Sequence, residues 1–373
     1  MKRIIDYRSI DFDGGVVTMN LTFLIGNGFD LNLGLKTKYS HFLEKYTADD
    51  ENDDDNIKEL KQSIKLYINN DKGCDINWSD VELGLGKYTK VFENSKFSEP
   101  DRMAEEVHDD MCAKLAEYLK KEEERFPKEL DNDQSNKIIN TATDLNLYLD
   151  SLLPNDKTII SEQLKQIKGN LNFSFLNYNY TNTLDRITDY LIKINQLGYR
   201  QGIANKISTV MHVHGTIEHG MALGVNDESQ LCGTIFKSNE PERKRLFIKP
   251  LFNEDMGENT DDMAKSIIES SDVIYIYGMS LGETDRRWWE CILNWMNNNK
   301  KAILIYYSKS VPQIGISPEK YRRFLRKYRE DFVNHYSELS DEEKNAIKTR
   351  MFISRRNIFQ RLSNIFDLQN KKG

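Results

Sequence analysis

The 373-residue chain has little cysteine: four residues, at positions 74, 112, 232 and 291, with no Cys-x-x-Cys pair among them. That spacing excludes a zinc ribbon and a disulfide framework and predicts reduced thiols. Also missing is any apolar run near the ~20 residues that a membrane-spanning helix needs, so no membrane contact is expected. The first twenty residues, MKRIIDYRSIDFDGGVVTMN, place acids where a secretory leader has a continuous apolar core, which predicts a cytoplasmic protein. Positive charge is in deficit as well. Against 52 Lys and Arg stand 59 Asp and Glu, a formal net charge of −7, which argues against a nucleic-acid or anionic-membrane binder across the whole surface. Internal repeats and low-complexity tracts are absent.

What is present describes a folded globular protein. Hydrophobic residues make up 39% and aromatics 10%, enough for a sizeable core, while 30% charged residues imply a solvated, helix-rich surface. Short strand-like runs alternate with helical patterns: LTFLI at 21–25, LNFSFLNY at 171–178, STVMHVH at 208–214, DVIYIYG at 272–278 and AILIYY at 302–307. Several are apolar at consecutive positions, as strands covered on both faces must be. The expected fold class is α/β, a Rossmann-like parallel sheet with a large helical insertion and a C-terminal helical region. The sheet core is assigned to 19–46 plus 171–310, the helical insertion to 47–170 and the C-terminal helices to 311–373. Such an insertion far exceeds the dozen or so residues of an ordinary crossover, and packs as a lid or a homo-oligomer surface. TADDENDDDN at 47–56 reads as a solvated loop, and residues 1–18 as a peripheral extension without catalytic residues. In the C-terminal region, Arg and Lys alternating with aromatics read as a solvated amphipathic helix rather than a nucleic-acid surface.

Polar residues gather at the ends of four of these strands. After the first come Gly26, Asn27, Gly28 and Asp30, a strand-to-helix turn whose glycines let backbone amides approach an anion; Leu31 stands where a full dinucleotide fingerprint has its third glycine. A simple tight turn is the alternative. After the second come Asn177, Asn179, Thr181 and Asn182, with Thr181 or Asn182 also able to cap the next helix. HVHG follows, in which His214 suits a general base at a strand end and His212 a packed supporting residue; a metal pair of the two lacks a nearby third ligand. The fourth, YGMSLGETD, offers Gly278, Ser280 and Asp285, with Ser280 or Thr284 as alternative helix caps. Ser79 and Glu82 of NWSDVE form a capping-box pattern, while Trp78 and Asp80 are placed to close over a crevice.

In their order, FLIGNGFDLNLGLKTKYSHF, NWSDVE, NYNYTNTL, HVHG and YGMSLGETD resemble the phage abortive-infection H family of bacterial defence proteins. More distantly, they resemble sirtuin-like NAD-binding proteins. That resemblance implies Gly26 and Gly28 at a diphosphate, Asn179 at the nicotinamide ribose, His214 as base and Ser280 on the adenosine side. Asn27, Phe29 and Thr181 depart from the sirtuin pattern, and without a zinc ribbon peptide deacylation is not expected. The function implied is that of an antiphage effector hydrolysing NAD or a related nucleotide at the nicotinamide-ribosyl bond, with no metal required and a phage-derived trigger as partner. A nucleotide-binding sensor without turnover is the principal alternative. A metal-dependent nuclease using His212, His214 and Asp227 ranks last.

Overall fold

A computed structural model describes residues 18–48, 53–55, 57–59, 61–62, 78–90, 99–127, 149, 152–166, 169–194, 199–200, 203–233, 236, 244–257, 259–312, 317–360 and 362. Most of the peripheral extension, Cys74, the side chains of Trp78, Ser79 and Asp80, and acidic-loop residues 49–52 and 56 lie outside the described residues.

Six strands form one parallel sheet: β1 (Met19–Ile25), β2 (Leu171–Asn177), β3 (Lys206–His212), β4 (Val273–Tyr277), β5 (Ile303–Tyr307) and β6 (Met351–Ser354). Their order is β3-β2-β1-β4-β5-β6, with every pairing parallel. The chain therefore builds outward from β1 in one direction and then, from β4 onward, in the other. Open sheets of this kind bind ligands where the order reverses, outside the carboxyl ends of the strands. Register makes that edge level, because Ile25 lies opposite both Asn177 and Tyr277.

β6 was not anticipated. Four residues, MFIS, lie inside the region read as helical, and they pair as an edge strand with Leu304 opposite Met351. β3 also begins and ends earlier than read, so His214 stands beyond the strand rather than on it.

Both faces of the sheet are covered, which explains the consecutive apolar positions. On one face Phe23, Phe175 and Tyr275 pack together, the Phe23 and Phe175 rings 5.0 Å apart, beneath Leu184 and Ile187 of helix Thr183–Ile194. On the other, Leu24, Ile274 and Leu304 meet Trp289, Ile292 and Met296 of helix Arg286–Asn298. Among the described residues no helix is long and apolar enough to cross a membrane.

Helices α1 (Tyr39–Tyr46), α2 (Trp78–Tyr88) and α3 (Pro100–Glu123) form a second core with Leu223, Phe236 and Phe247, from the segment after β3. The acidic loop is only partly solvated. Asp54 and Asp55 are exposed, but Asp53 reaches the buried Lys61 at 2.5 Å, since a lysine withdrawn from water needs a carboxylate beside it.

The sheet's central junction is a backbone contact. Gly26 donates its amide to the Tyr277 carbonyl at 2.9 Å, and Gly28 to Gly278 at 2.8 Å. A Cβ on Gly28 would stand 2.5 Å from Gly278 Cα. The left-handed conformation in this contact belongs to Gly278, at φ 73°, and not to Gly26 or Gly28. Gly28 is therefore required by close packing rather than by its own dihedral angles. Gly28→Ala is expected to lower unfolding free energy by about 1–3 kcal/mol in urea titrations; an unchanged midpoint would show that the turns separate without cost.

Candidate functional site

A cavity of about 620 Å³ opens at the carboxyl ends of β1, β2 and β4, under the turns just described. Gly26, Asn27, Gly28, Asp30, Asn179, Thr181, His214, Gly278, Ser280 and Asp285 all line it. Asn177 does not; it is fully buried behind the wall.

Asn177 acts on Asn179 instead, its Oδ1 accepting the Asn179 amide at 3.0 Å. The Asn179 side chain donates through Nδ2 to the Gly26 carbonyl at 3.2 Å, tying β2 to the glycine turn. His212 completes the bracket by donating from Nδ1 to the Asn179 carbonyl at 2.8 Å and from Nε2 to Asp185 at 2.7 Å. Both partners are acceptors, so the ring carries two protons. Burial pulls its pKa down, but the hydrogen bond and charge of Asp185 outweigh this and leave it raised. His212 is thus a positioning residue. Asp227 accepts from Ser229 in a capping box at the turn Glu228–Gln230. These contacts engage His212 and Asp227 with protein partners, and among the described residues no three His, Cys, Asp or Glu side chains are grouped to hold a metal ion.

Asp30 occupies the floor. Its two oxygens accept from the hydroxyls of Thr181, at 2.6 Å, and Thr183, at 2.5 Å, rather than from turn amides. Burial pushes this carboxyl up to about 6, against the two hydroxyls that lower it. Thr181 therefore faces Asp30 as its donor, and Thr183, which no motif singled out, shares the task. Asn27 clasps Thr37 through two bonds, of 2.5 and 3.0 Å, closing the loop beside the cavity. The amides of Gly26, Gly28, Phe29 and Leu31 all donate to protein carbonyls, so these four are not open to an anion.

One end of the cavity holds a buried ion pair that local reading of the sequence missed. Lys249 Nζ lies 2.7 and 2.8 Å from the two oxygens of Glu82. The capping-box reading of Glu82 is thereby corrected: α2 already begins at Trp78, and the carboxylate turns to Lys249 and the Thr284 hydroxyl. Burial raises Glu82 to about 7, with Lys249 opposing. Thr284 is therefore no helix cap, and Ser280 makes no cap either, for the helix starts at Arg286 with Asp285 before it. His214 packs edge-on against Tyr178, ring centroids 5.3 Å apart. Burial, then the charge of Lys249, holds it well below the ordinary histidine value, so it is neutral. At the other end Ser308, Lys309 and Ser310 follow β5, and Tyr277 stacks on Tyr307 at 4.7 Å. Lys38 and Lys309 line the cavity and pair with no carboxylate among the described residues.

Asp30 makes stability depend on acidity. Its folded-state value lies above the unfolded 3.8, so its favourable contribution is full below that value and is lost as pH rises through about 6. The loss amounts to about 3 kcal/mol. In thermal melts across this window Asp30→Asn is expected to flatten the decline; a slope equal to that of the unaltered protein would mean that Asp30 does not titrate there.

A family model described as Bacteriophage abortive infection AbiH matches residues 22–307. The match runs from within β1 to the end of β5 and includes the glycine turn, Glu82, Asn179, His214, Lys249 and Asp285. No curated protein matches the sequence. With most of its length and nearly all of its cavity inside that match, the chain belongs to the bacteriophage abortive infection AbiH family.

Proposed function

We propose that this chain is an antiphage effector that hydrolyses NAD, or a related nucleotide, at the bond between nicotinamide and ribose. Family membership supports the defence role. The observation that carries the chemistry is the cavity itself: it lies where the strand order reverses, and Asn179 is braced into its wall from three sides. Its 620 Å³ falls within the range of roughly 300–1,000 Å³ found for ligand sites.

The residues fit such a substrate in a particular way. Because four amides of the glycine turn are already engaged, Lys38 and Lys309 meet the diphosphate, while Gly26, Gly28 and Gly278 keep the floor low enough for it to pass. Asn179 donates one amide hydrogen to Gly26 and keeps Oδ1 and its second hydrogen for a ribose hydroxyl and a water. Ser280, exposed on the β4 side, serves the nucleotide's polar edge. In hydrolysis the water oxygen bonds to the ribose carbon, the carbon–nitrogen bond breaks with its electron pair leaving on nicotinamide, and the water gives up a proton. Orientation and proton removal are the two demands on the protein.

Purified protein incubated with NAD, with and without EDTA, is expected to release nicotinamide, and Asn179→Ala to lower that rate by about 10²-fold or more. Asn179→Ala should also abolish phage protection. Binding of NAD without release would identify a nucleotide sensor, and neither binding nor release would overturn the nucleotide reading.

A further inference from the structure

The hydrolysis proposed above needs a proton acceptor, and His214 is poorly suited to be one. Its ring makes no hydrogen bond among the described residues, and protonating it would place a second buried cation near Lys249. The neighbouring wall offers something different. Glu82 on α2, Lys249 at the start of the helix Lys249–Asp255 and Asp285 before the helix Arg286–Asn298 come from three separate parts of the chain and meet at the cavity.

We infer that Glu82, Lys249 and Asp285 form the proton-exchange group of this cavity, two buried carboxyls sharing one proton beside a single lysine, with Asp285 turned toward the substrate. Lys249 gives both its close contacts to Glu82, at 2.7 and 2.8 Å, and these two side chains are only 4% and 5% exposed. Asp285 receives Lys249's charge without forming a close pair with it, and its Oδ1 is buried with no hydrogen-bond partner among the described residues. The Tyr178 hydroxyl beside this cluster is unpartnered in the same way. Two polar atoms withdrawn from water and left without partners mark a place that a ligand or water completes.

Charge counting gives the cluster its chemistry. With both carboxyls ionised the wall carries a net negative charge among the rings of Tyr178 and Trp288; with one proton bound it is neutral. Burial raises both acids while Lys249 opposes, and Glu82 reaches about 7. Because the two carboxyls interact, they titrate as a unit rather than singly. Of the other groups that act on the cluster, burial keeps the phenols of Tyr39, Tyr178 and Tyr180 protonated, and burial also raises Asp261, against the charge of Arg287 3.4 Å away. The step follows from the hydrolysis reading. As the water oxygen bonds to the ribose carbon and nicotinamide departs with the electron pair, the water's proton passes to the Asp285 carboxylate, is shared with Glu82, and returns to solvent.

Two measurements test this separately from the hydrolysis reading. Infrared spectra are taken on ligand-free protein carrying Asp30→Asn, which removes the other buried carboxyl raised to about 6, and are expected to show a protonated-carboxyl stretch that fades as pH rises between about 6 and 8. Asp285→Asn removes one acid and leaves Glu82 as a plain ion pair with Lys249, so the band should vanish; Glu82→Gln should remove it too, leaving Asp285 opposite Lys249. Melting curves confirm that each variant is folded. Absence of the titrating band from the Asp30→Asn protein, or its survival when Asp285→Asn and Glu82→Gln are each added to it, overturns the proposal. The second measurement is the pH profile of nicotinamide release, where Asp285→Asn should lower kcat by about 10²-fold or more with little change in KM and should abolish the acid limb. Turnover by Asp285→Asn with an unaltered pH profile overturns the proton-acceptor role while the hydrolysis reading stands. No release by the unaltered protein overturns the hydrolysis reading, and the infrared band still decides whether the cluster shares a proton.

Discussion

The hydrogen bond from the Gly28 amide to the Gly278 carbonyl, 2.8 Å long, joins two turns that no side chain separates. The β1 turn and the β4 turn touch here through backbone alone, with room for neither a Cβ on Gly28 nor one on Gly26. From this contact the cavity takes its floor. Asn179 is anchored to the same turn through the Gly26 carbonyl, and Asp30, one short step further along, receives Thr181 and Thr183 from beyond β2. Glycine at these positions does for the fold what the sequence pattern suggested it would do for a phosphate. Both uses depend on backbone coming close to something, and in this protein the nearest partner is another glycine.

Around that junction the cavity is organised by buried charge. Asp30 is held by two hydroxyls, Glu82 is set against Lys249 and His212 against Asp185, while His214 and one oxygen of Asp285 are left without a hydrogen-bond partner among the described residues. The consequences differ by site. His212 becomes a fixed cation that braces the Asn179 backbone, His214 becomes a neutral ring, and the Glu82 and Asp285 carboxyls are lifted toward the range in which protons move at physiological pH. The helices between β1 and β2 thus contribute more than cover. Through α2 they place Glu82 inside the site, and through Glu123 they hold Arg186 of the helix after β2.

Much of the fold was legible because its signals are local. A strand buried on both faces must be apolar at consecutive positions, and a parallel pair must be joined by a crossover, so five strands and the α/β class follow from composition and order. β6 escaped because four residues at a sheet edge, just after the helix Asp341–Lys348, carry too little pattern to stand out. The strand-end residues were legible for a related reason: in a parallel sheet the carboxyl ends share one edge, so Gly26, Asn179, His214 and Gly278 converge whatever the intervening lengths. Which of the strand-end residues face the cavity was not legible, as Asn177 shows by turning inward to hold Asn179.

By itself, then, the sequence determined the layered α/β architecture, the edge on which the cavity lies and the family signature that runs along it. Only the tertiary structure decided that Glu82 is a partner of Lys249, 167 positions away, and not the end of a capping box, and that Asp285 stands beside them with an oxygen unpaired among the described residues. The physical reason is range. Strand and turn preferences act between neighbours and leave a periodic trace in the chain, whereas a buried charge is satisfied by whatever the folded path brings within about 3 Å of it, and that choice leaves no local mark.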